Sequence, residues 1–517
     1  MLSRTYSAVV QGLQPVKIEV EVDCIVGTPQ FLIIGLPTKE VDEAKERITA
    51  ALLHCGIRLR AKRTIVNLAP ADVRKTGSGL ELAIAVGLLQ QFADITISTE
   101  KTMFFGELSL DGAIKPIRGA LPLVLAARAM QFEHVVLPSA NSAEVQTITG
   151  ITLHPMHHLA ELIELLREQI PLPTLKHVPF VSLSREDPEV DLRDIVGQTV
   201  AKRTLEISAA GGHNALLVGP PGAGKSMLAQ AMAGILPPLS EDEATAITGI
   251  YSVAGLLTEA QSFITTRPFR SPHHSTSLAG MTGGGVPLLP GEISLAHTGV
   301  LFLDELPEYS RICLEALRQP LEKRTITITR ASGSFQFPAQ FSLIGAANPC
   351  PCGYFGSSVR VCRCSRRERQ SYTNRISGPL LDRIDLHVWT SETSITALQR
   401  EHMSAVSTTE SSAVVRERVA RARARQHARF LQNGLAIASN AELTAKHIKS
   451  FCTVEPAGRR LLARAGQVLQ LSARGYTRTI KVAQTIADLA QSDTITQEHV
   501  AEALQYRTTV WGTKEQT

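Results

Sequence analysis

One eight-residue segment constrains this chain more than any other. Residues Gly219-Pro-Pro-Gly-Ala-Gly-Lys225-Ser226 match the pattern G-x-x-x-x-G-K-[ST] and follow an apolar run, 215–218, that is typical of a buried strand. Glycines let backbone N–H groups turn towards a polyphosphate, the lysine reaches its outer phosphates, and the serine hydroxyl binds Mg²⁺. The sequence therefore predicts a phosphate-binding loop made of Gly219, Pro220, Pro221, Gly222, Ala223, Gly224, Lys225 and Ser226.

Polar side chains follow two further apolar runs. The run 300–303 ends in Asp304 and Glu305, and the run 341–344 leads to Asn348. Ligands of open α/β sheets bind beyond the carboxyl ends of the strands, so these side chains are expected near the phosphates. The carboxylate pair indicates hydrolysis as well as binding, and the amide is suited to holding an attacking water.

Length and pattern divide the chain into parts. A chain of 517 residues is too long for one core and suggests about three domains. Residues 1–168 alternate strand-like and helix-like pieces and predict a self-contained α/β domain, and the proline-rich stretch 169–190 predicts a linker. Residues 191–390 predict the nucleotide domain, and 391–517 are helical by pattern.

Composition excludes several classes of protein. No apolar run reaches the roughly 18 residues that a membrane span requires, and the first residues lack a secretory pattern, so we expect a cytoplasmic protein with no membrane partner. Eight cysteines in that compartment do not predict a disulfide framework. The net charge of +5 is too small to indicate nucleic acid by itself.

Four of the cysteines lie close together in the sequence. Cys350, Cys352, Cys362 and Cys364 form two C-x-C pairs, which are tighter than the C-x-x-C spacing usual for zinc. The cluster predicts either a tetrahedral Zn²⁺ site or a loop of buried or surface thiols. The same loop carries several arginines and is a candidate DNA contact.

The order of these features resembles a known family. A phosphate loop, an Asp-Glu strand, a β-hairpin, a strand ending in Asn348 and a helical lid resemble the AAA+ ATPases with a pre-sensor hairpin, and among them the magnesium-chelatase-like group. The phrases 268–274, 290–297 and 300–306 resemble the YifB/ComM family of bacterial competence proteins. The resemblance implies an α/β fold, with an AAA+ P-loop core and a helical lid.

The resemblance also implies a function. Members of this family are expected to be ATP-driven hexameric DNA helicases that promote branch migration when incoming single-stranded DNA recombines with a chromosome in natural transformation. The implied cofactors are ATP and Mg²⁺, and the implied partners are further copies of the chain and single- and double-stranded DNA. A magnesium-chelatase-like ATPase that remodels a protein client is the alternative, and stimulation of hydrolysis by DNA would discriminate the two.

Site roles follow from the resemblance position by position. Asp304 supports the metal together with Ser226, Glu305 polarises the attacking water, and Asn348 corresponds to sensor 1. Arg383 corresponds to an arginine finger that completes the site of a neighbouring subunit. Arg474 is favoured over Arg478 as sensor 2, and the segment 194–198, which contains Val196, is implied to pack around adenine.

Candidate DNA contacts come from arginine placement. On the helix after Ser412, Arg418, Arg421 and Arg425 fall on one side at 100° per residue, where they would neutralise phosphates. A solvated lid face or a contact with the next subunit explains the same stripe. Arg330 at the tip of the hairpin and the glycine-rich loop 283–285 are the other candidates.

The N-terminal domain resembles a Lon protease without its chemistry. The segments 75–82 and 106–121 resemble the two motifs that carry the Lon serine and lysine, but those positions fall on Gly79 and Leu121. Ser78 lies one residue away but would still lack its activating lysine. We therefore expect a degenerate Lon-protease-like α/β domain that does not hydrolyse peptides.

Overall fold

The computed structural model describes residues 2–59, 62–77, 79–93, 95, 99–181, 190–330, 333–392 and 410–508. Residues 182–189 of the predicted linker, 393–409 and 509–517 of the predicted lid, Ser78, and 331–332 at the hairpin tip lie outside them. The predicted divisions after residues 168, 190 and 390 stay predictions.

The N-terminal region is organised by a seven-stranded mixed sheet of order β3-β4-β2-β1-β5-β8-β9. Strands β1 and β2 pair antiparallel over their whole length, and the period-two pattern of β2 places Ile18, Val20 and Val22 in the core. The strands are β1 (Ser3–Gln11), β2 (Gln14–Ile25), β3 (Gln30–Ile34), β4 (Arg63–Ala69), β5 (Thr102–Phe104), β6 (Glu107–Leu108), β7 (Ile114–Lys115), β8 (His134–Pro138) and β9 (Thr152–Met156).

Helices cover this sheet with apolar faces. In the first of them the buried residues include Val41, Ala44 and Ile48, which recur every three or four positions. The helices are α1 (Lys39–His54), α2 (Glu81–Phe92), α3 (Ala120–Ala129), α4 (Ser142–Val145) and α5 (Leu159–Arg167).

The nucleotide region is built on a five-stranded parallel sheet of order β11-β14-β17-β10-β18. Its central strands are continuous apolar runs, as expected where helices cover both faces. Two hairpins lie outside it. The strands are β10 (Ala215–Val218), β11 (Phe269–Arg270), β12 (Gly283–Gly284), β13 (Leu289–Pro290), β14 (Val300–Leu303), β15 (Thr325–Arg330), β16 (Gly333–Pro338), β17 (Ser342–Ala347) and β18 (Leu386–Trp389).

The helices of this region connect the strands. The sequence predicts one helix over 312–322, but the structure has two, because Pro320 has no N–H to bond to the carbonyl of Ala316. The helices are α6 (Thr199–Gly211), α7 (Lys225–Ile235), α8 (Glu241–Ala254), α9 (Leu278–Thr282), α10 (Glu292–Leu295), α11 (Arg311–Ala316), α12 (Arg318–Lys323), α13 (Arg366–Thr373) and α14 (Gly378–Leu381).

The C-terminal region is helical, as the pattern predicts. One hydrophobic cluster contains Leu205 and Leu217 of the nucleotide region together with Val419, Phe430 and Ile486, so the lid helices pack directly on the sheet domain. The helices are α15 (Ser412–Gln432), α16 (Ala445–Phe451), α17 (Pro456–Val468), α18 (Ala473–Leu489) and α19 (Gln497–Thr508). No described helix combines the length and apolar character needed to cross a membrane.

Asn214, just before β10, links two other segments of the chain through buried hydrogen bonds. Its Oδ1 accepts a hydrogen bond from the N–H of Leu343 at 2.9 Å, and its Nδ2 donates to the carbonyl of Arg383 at 3.1 Å. The residue is 4% exposed, so water cannot replace either bond. Asn214 therefore fixes the start of β17 and the segment that carries Arg383.

We expect Asn214→Ala to lower the free energy of unfolding by about 3 kcal/mol, because it leaves two buried polar groups without partners. Chemical denaturation followed by circular dichroism measures the change. Asn433→Ala, which removes an exposed amide after α15, should change stability by less than about 0.5 kcal/mol. Equal midpoints for the two variants would contradict the assigned role of Asn214.

Candidate active site

The phosphate loop joins β10 to α7 at the carboxyl edge of the parallel sheet. Gly222 and Gly224 adopt φ values of +78° and +75°, in the left-handed region that favours glycine. No heavy atom lies within 4 Å of the position of an added Cβ at either glycine. Glycine is therefore required for its backbone conformation and not for lack of space. The loop leads directly into the N-terminus of α7, where backbone N–H groups favour an anion.

Lys225 is held at the centre of the loop. Its Nζ donates to the carbonyls of Gly219 and Pro220 at 2.8 and 2.9 Å and to Oδ1 of Asn348 at 3.2 Å. Burial lowers the pKa of Lys225 to about 8, and the carboxylates of Asp304 and Glu305 partly oppose this shift. The structure thus brings the predicted phosphate-binding lysine and the predicted sensor amide into direct contact.

The predicted metal ligands are also together. The hydroxyl of Ser226 donates to Oδ2 of Asp304 at 2.8 Å, and Oδ1 of Asp304 accepts from the N–H of Glu305 at 2.9 Å. A hydroxyl and a carboxylate beside a phosphate loop are the hard oxygen ligands that Mg²⁺ prefers. These residues therefore fit MgATP.

Glu305 lies at the open side of the site. Its side chain is 54% exposed, and its backbone has a φ of +48°. Nδ1 of His274 lies 3.5 Å from its carboxylate, and the ring of His274 lies 4.0 Å from that of His273 by centroids. Neither histidine is among the site residues that the sequence predicts, but the structure shows that His274 adjoins the predicted catalytic carboxylate.

The segment implied to surround adenine contacts the phosphate loop. Nε2 of Gln198 donates to the carbonyl of Ala223 at 3.1 Å and to that of Ser391 at 2.6 Å. Val196, two residues earlier, is half-buried. The segment therefore lies beside the phosphate loop, and the adenine contact of Val196 stays a prediction.

Arg383 and Arg474 meet at a carboxylate that the sequence does not single out. The guanidinium of Arg383 is buried and pairs with Glu322, and it donates to the carbonyl of Pro379 at 2.6 Å. Nη2 of Arg474 lies 4.0 Å from the same carboxylate, and its side chain is 66% exposed. Nothing in the sequence distinguishes Glu322 from other glutamates near helix ends.

Arg478, the second candidate for sensor 2, has a different partner. Its Nε lies 3.7 Å from Oδ1 of the buried Asp385, and the side chain is largely buried. A guanidinium fixed to a buried carboxylate is less free to reach a ligand than the exposed Arg474. The geometry therefore favours Arg474, and its role stays a prediction.

The arginine stripe of α15 is not a free basic surface in this structure. Arg418 pairs with Glu206 and Glu410 at 2.6 Å each, and Arg425 pairs with Asp493 at 2.6 Å. Arg421 is exposed. Helical geometry predicts the shared side of these arginines. It does not predict their pairing, because Glu206 and Asp493 are distant in the sequence and only Glu410 lies close to the helix.

The two hairpins proposed as DNA contacts lie side by side. The guanidinium of Arg330, at the end of β15, donates to the carbonyl of Gly285 in the turn between β12 and β13. The exposed Val286 lies in the same turn. The structure therefore places both candidate DNA contacts, the glycine-rich loop and Arg330, on one surface.

The Lon-like positions carry no reactive group. Leu121 is fully buried, and its N–H donates to the carboxylate of Glu144 at 2.8 Å. Gly79 follows Ser78, which lies outside the described residues, and its carbonyl accepts from the N–H of Gly106 at 3.0 Å. Neither glycine nor leucine can act as a nucleophile or a base, so the two positions cannot supply the dyad, and the Lon-like character of the domain stays a prediction.

Comparison with known proteins agrees with this site. The model described as magnesium chelatase, subunit ChlI, matches residues 191–398, its C-terminal model matches 409–507, and the model of subunit ChlI of Mg-chelatase matches 20–141. The competence protein ComM of Haemophilus influenzae is 40% identical over 515 residues, covering 98% of each chain. The chain belongs to the YifB/ComM family of magnesium-chelatase-like AAA+ ATPases.

Other relatives support the same assignment. The YifB protein of Escherichia coli is 40% identical over 507 residues, covering 98% of this chain and 97% of its own. The Lon protease of Aquifex aeolicus is 34% identical over 115 residues, covering 21% of this chain and 14% of its own. The first confirms the family over nearly the whole chain, and the second shows that the Lon resemblance is partial.

The lowered pKa of Lys225 predicts a pH dependence of ATP binding. A pKa of about 8 leaves most of the lysine charged at pH 7.5 and about a tenth of it charged at pH 9. Because ATP binds the ammonium form and raises its pKa, we expect ATP affinity to fall about eightfold over this interval, with proton uptake on binding. Fluorescence titration with an ATP analogue at constant Mg²⁺ measures the change.

Lys225→Arg provides the matched control, since a guanidinium stays charged over this pH range. Whatever its absolute affinity, that variant should show a flat profile between pH 7.5 and 9. An unchanged dissociation constant for the wild-type protein over the same range would contradict the assignment of Lys225.

Proposed function

We propose that this ATPase is a cytoplasmic, hexameric DNA helicase that promotes branch migration in homologous recombination during natural transformation. The observation that carries the proposal is the similarity to the competence protein ComM over 98% of each chain, combined with a filled set of ATPase positions. ATP and Mg²⁺ are its cofactors.

The site residues have distinct roles in this proposal. Lys225 and the loop N–H groups bind the phosphates, and Ser226 and Asp304 hold Mg²⁺. Bound Mg²⁺ would neutralise charge on the phosphate oxygens. Glu305 polarises the attacking water, while Asn348, already in contact with Lys225, orients it.

Arg383 and Arg474 act on a neighbouring subunit in this proposal. Their shared position at Glu322 supports a common task, because both guanidinium groups are gathered on one carboxylate. Within one chain Arg383 is paired with Glu322. To act as the finger it must leave Glu322 and contact the phosphate bound by the next subunit, so hydrolysis depends on assembly. A finger of this kind is worth roughly 10³ to 10⁵ in rate.

DNA is contacted through its backbone in this proposal. The two adjacent hairpins carry Arg330, and the cysteine loop with the start of α13 presents the exposed Arg363, Arg366 and Arg367. These exposed charges replace the stripe of α15 as the favoured phosphate contacts, because Arg418 and Arg425 are paired within the chain. Contacts to phosphate do not read sequence.

The alternative is remodelling of a protein client, and the three magnesium chelatase models that match the chain favour it. The two functions differ in what stimulates hydrolysis. A motor that moves on DNA hydrolyses ATP faster when DNA is present at low salt, whereas a client-remodelling ATPase does not respond to DNA.

The test compares two double variants. Arg366→Ala/Arg367→Ala removes exposed arginines from α13, and Arg460→Ala/Arg464→Ala removes exposed arginines from α17. We expect the first to reduce the slope of log affinity for DNA against log salt by about 2 and to weaken DNA stimulation of ATPase, because each lost phosphate contact lowers the slope by about 1. The second should retain both values.

The same proteins can be assayed on three- and four-stranded junctions with Lys225→Ala as the inactive control. Junction movement by the wild-type protein, dependent on ATP hydrolysis, is the expected result. ATPase activity that is indifferent to single- and double-stranded DNA at low salt would reject the DNA motor in favour of a protein client.

A further inference from the structure

The loop between β17 and α13 holds four thiols around one point. The Sγ atoms of Cys350, Cys352, Cys362 and Cys364 all lie within 4.8 Å of one another. Three of the separations are 3.4, 3.6 and 3.6 Å. Four sulfur ligands at about 2.3 Å from one Zn²⁺ stand about 3.8 Å apart, whereas a disulfide requires about 2.05 Å. The arrangement is that of a tetrahedral ligand set.

We infer that these four cysteines bind one Zn²⁺ and that the ion fixes the loop against the phosphate loop, so that Asn348 is held in place. The ligand chemistry supports the choice of metal. Four soft thiolates in a tetrahedron select Zn²⁺ or iron and do not suit Mg²⁺ or Ca²⁺. The close clustering fits a single ion, because an iron–sulfur cluster spreads its cysteines around several metal atoms.

Backbone donors are directed at the sulfur atoms. The N–H of Cys364 donates to Sγ of Cys362 at 3.4 Å. The N–H groups of Tyr354 and Arg363 bond to Cys352, and that of Phe355 bonds to Cys350. Such donors stabilise the negative charge that thiolates carry when they bind a metal, and they orient the ligands.

The outer arm of the loop is held in part by Glu392, whose carboxylate accepts from the hydroxyls of Ser357 and Ser358 at 2.7 and 3.3 Å. Between the end of β17 and the start of α13 there is no helix or strand, and Val359 and Val361 are 80% and 87% exposed. Long connections without secondary structure of their own need another source of order. A metal that joins Cys362 and Cys364 to the buried Cys350 supplies that link.

The inner arm of the loop abuts the ATP site. An added Cβ on Gly353 would lie 2.9 Å from the ring of Pro221 in the phosphate loop, so the two loops are in close contact. Asn348 lies two residues before Cys350 and accepts the hydrogen bond from Lys225. Zn²⁺ at the cysteines therefore restrains Asn348 from one side while the phosphate loop restrains it from the other.

The experiment uses the full chain purified without chelators. Elemental analysis should find about one zinc per chain in the wild-type protein and in Cys24→Ser, whose cysteine lies in the N-terminal sheet. Cys364→Ser should lose the metal, while Cys364→His should retain it, because imidazole is also a zinc ligand. Replacement by Co²⁺ should give the absorption bands of a tetrahedral thiolate site.

The role of the ion is tested by kinetics. Cys364→Ser should lower kcat for ATP hydrolysis about tenfold or more with a smaller change in KM, because Asn348 acts on the attacking water, and Cys364→His should recover most of kcat. Zinc absent from the wild-type chain, or equal zinc in Cys364→Ser and wild type, would overturn the metal site. Equal kcat values for Cys364→His and Cys364→Ser would overturn the link between the metal and Asn348. Neither outcome depends on DNA, so the proposed helicase function is tested separately.

Discussion

The contact between Lys225 and Asn348 is the interaction on which the rest of the site depends. It joins the lysine of the phosphate loop to the amide that follows the neighbouring parallel strand, β17, at a separation of 3.2 Å. The parallel order of β10, β14 and β17 brings their carboxyl ends to one edge, so that the loop, the carboxylates and the amide converge. Hydrolysis chemistry on this chain is therefore a consequence of sheet topology.

The arginines differ in how fully carboxylates of the same chain balance their charge. Arg418 and Arg425 are neutralised by carboxylates of the same chain. The pair of Arg418 with Glu206 of α6 links the lid to the nucleotide region, whereas the pair of Arg425 with Asp493 lies within the C-terminal region. Arg383 and Arg474 share the single carboxylate of Glu322, which leaves an excess of positive charge there. The proposed inter-subunit site would combine these two arginines with the exposed Glu305 of the adjoining subunit.

Much of the fold and site could be predicted from the sequence, because the decisive signals are local. The loop of 219–226 and the apolar runs before Asp304 and Asn348 have fixed spacing in the sequence, and the family resemblance includes the β15–β16 hairpin. Contacts made by tertiary packing could not be predicted. Glu322, Asp493 and Glu206 look like ordinary surface carboxylates until the fold pairs them with arginines, and the neighbour of Glu305, His274, follows a different strand.

The central claim is that each ATP site is completed by an arginine of the adjoining subunit. The most direct measurement mixes Lys225→Ala, which cannot bind phosphate, with Arg383→Ala, which cannot assist its neighbour. Each variant alone should be nearly inactive, and mixed rings should regain hydrolysis at interfaces that pair an intact Lys225 with an intact Arg383. Arg375→Ala, which removes an exposed arginine paired with Glu308, serves as the control and should remain active alone. Mixed oligomers with no recovered activity, or an Arg383→Ala protein as active as wild type, would contradict the account.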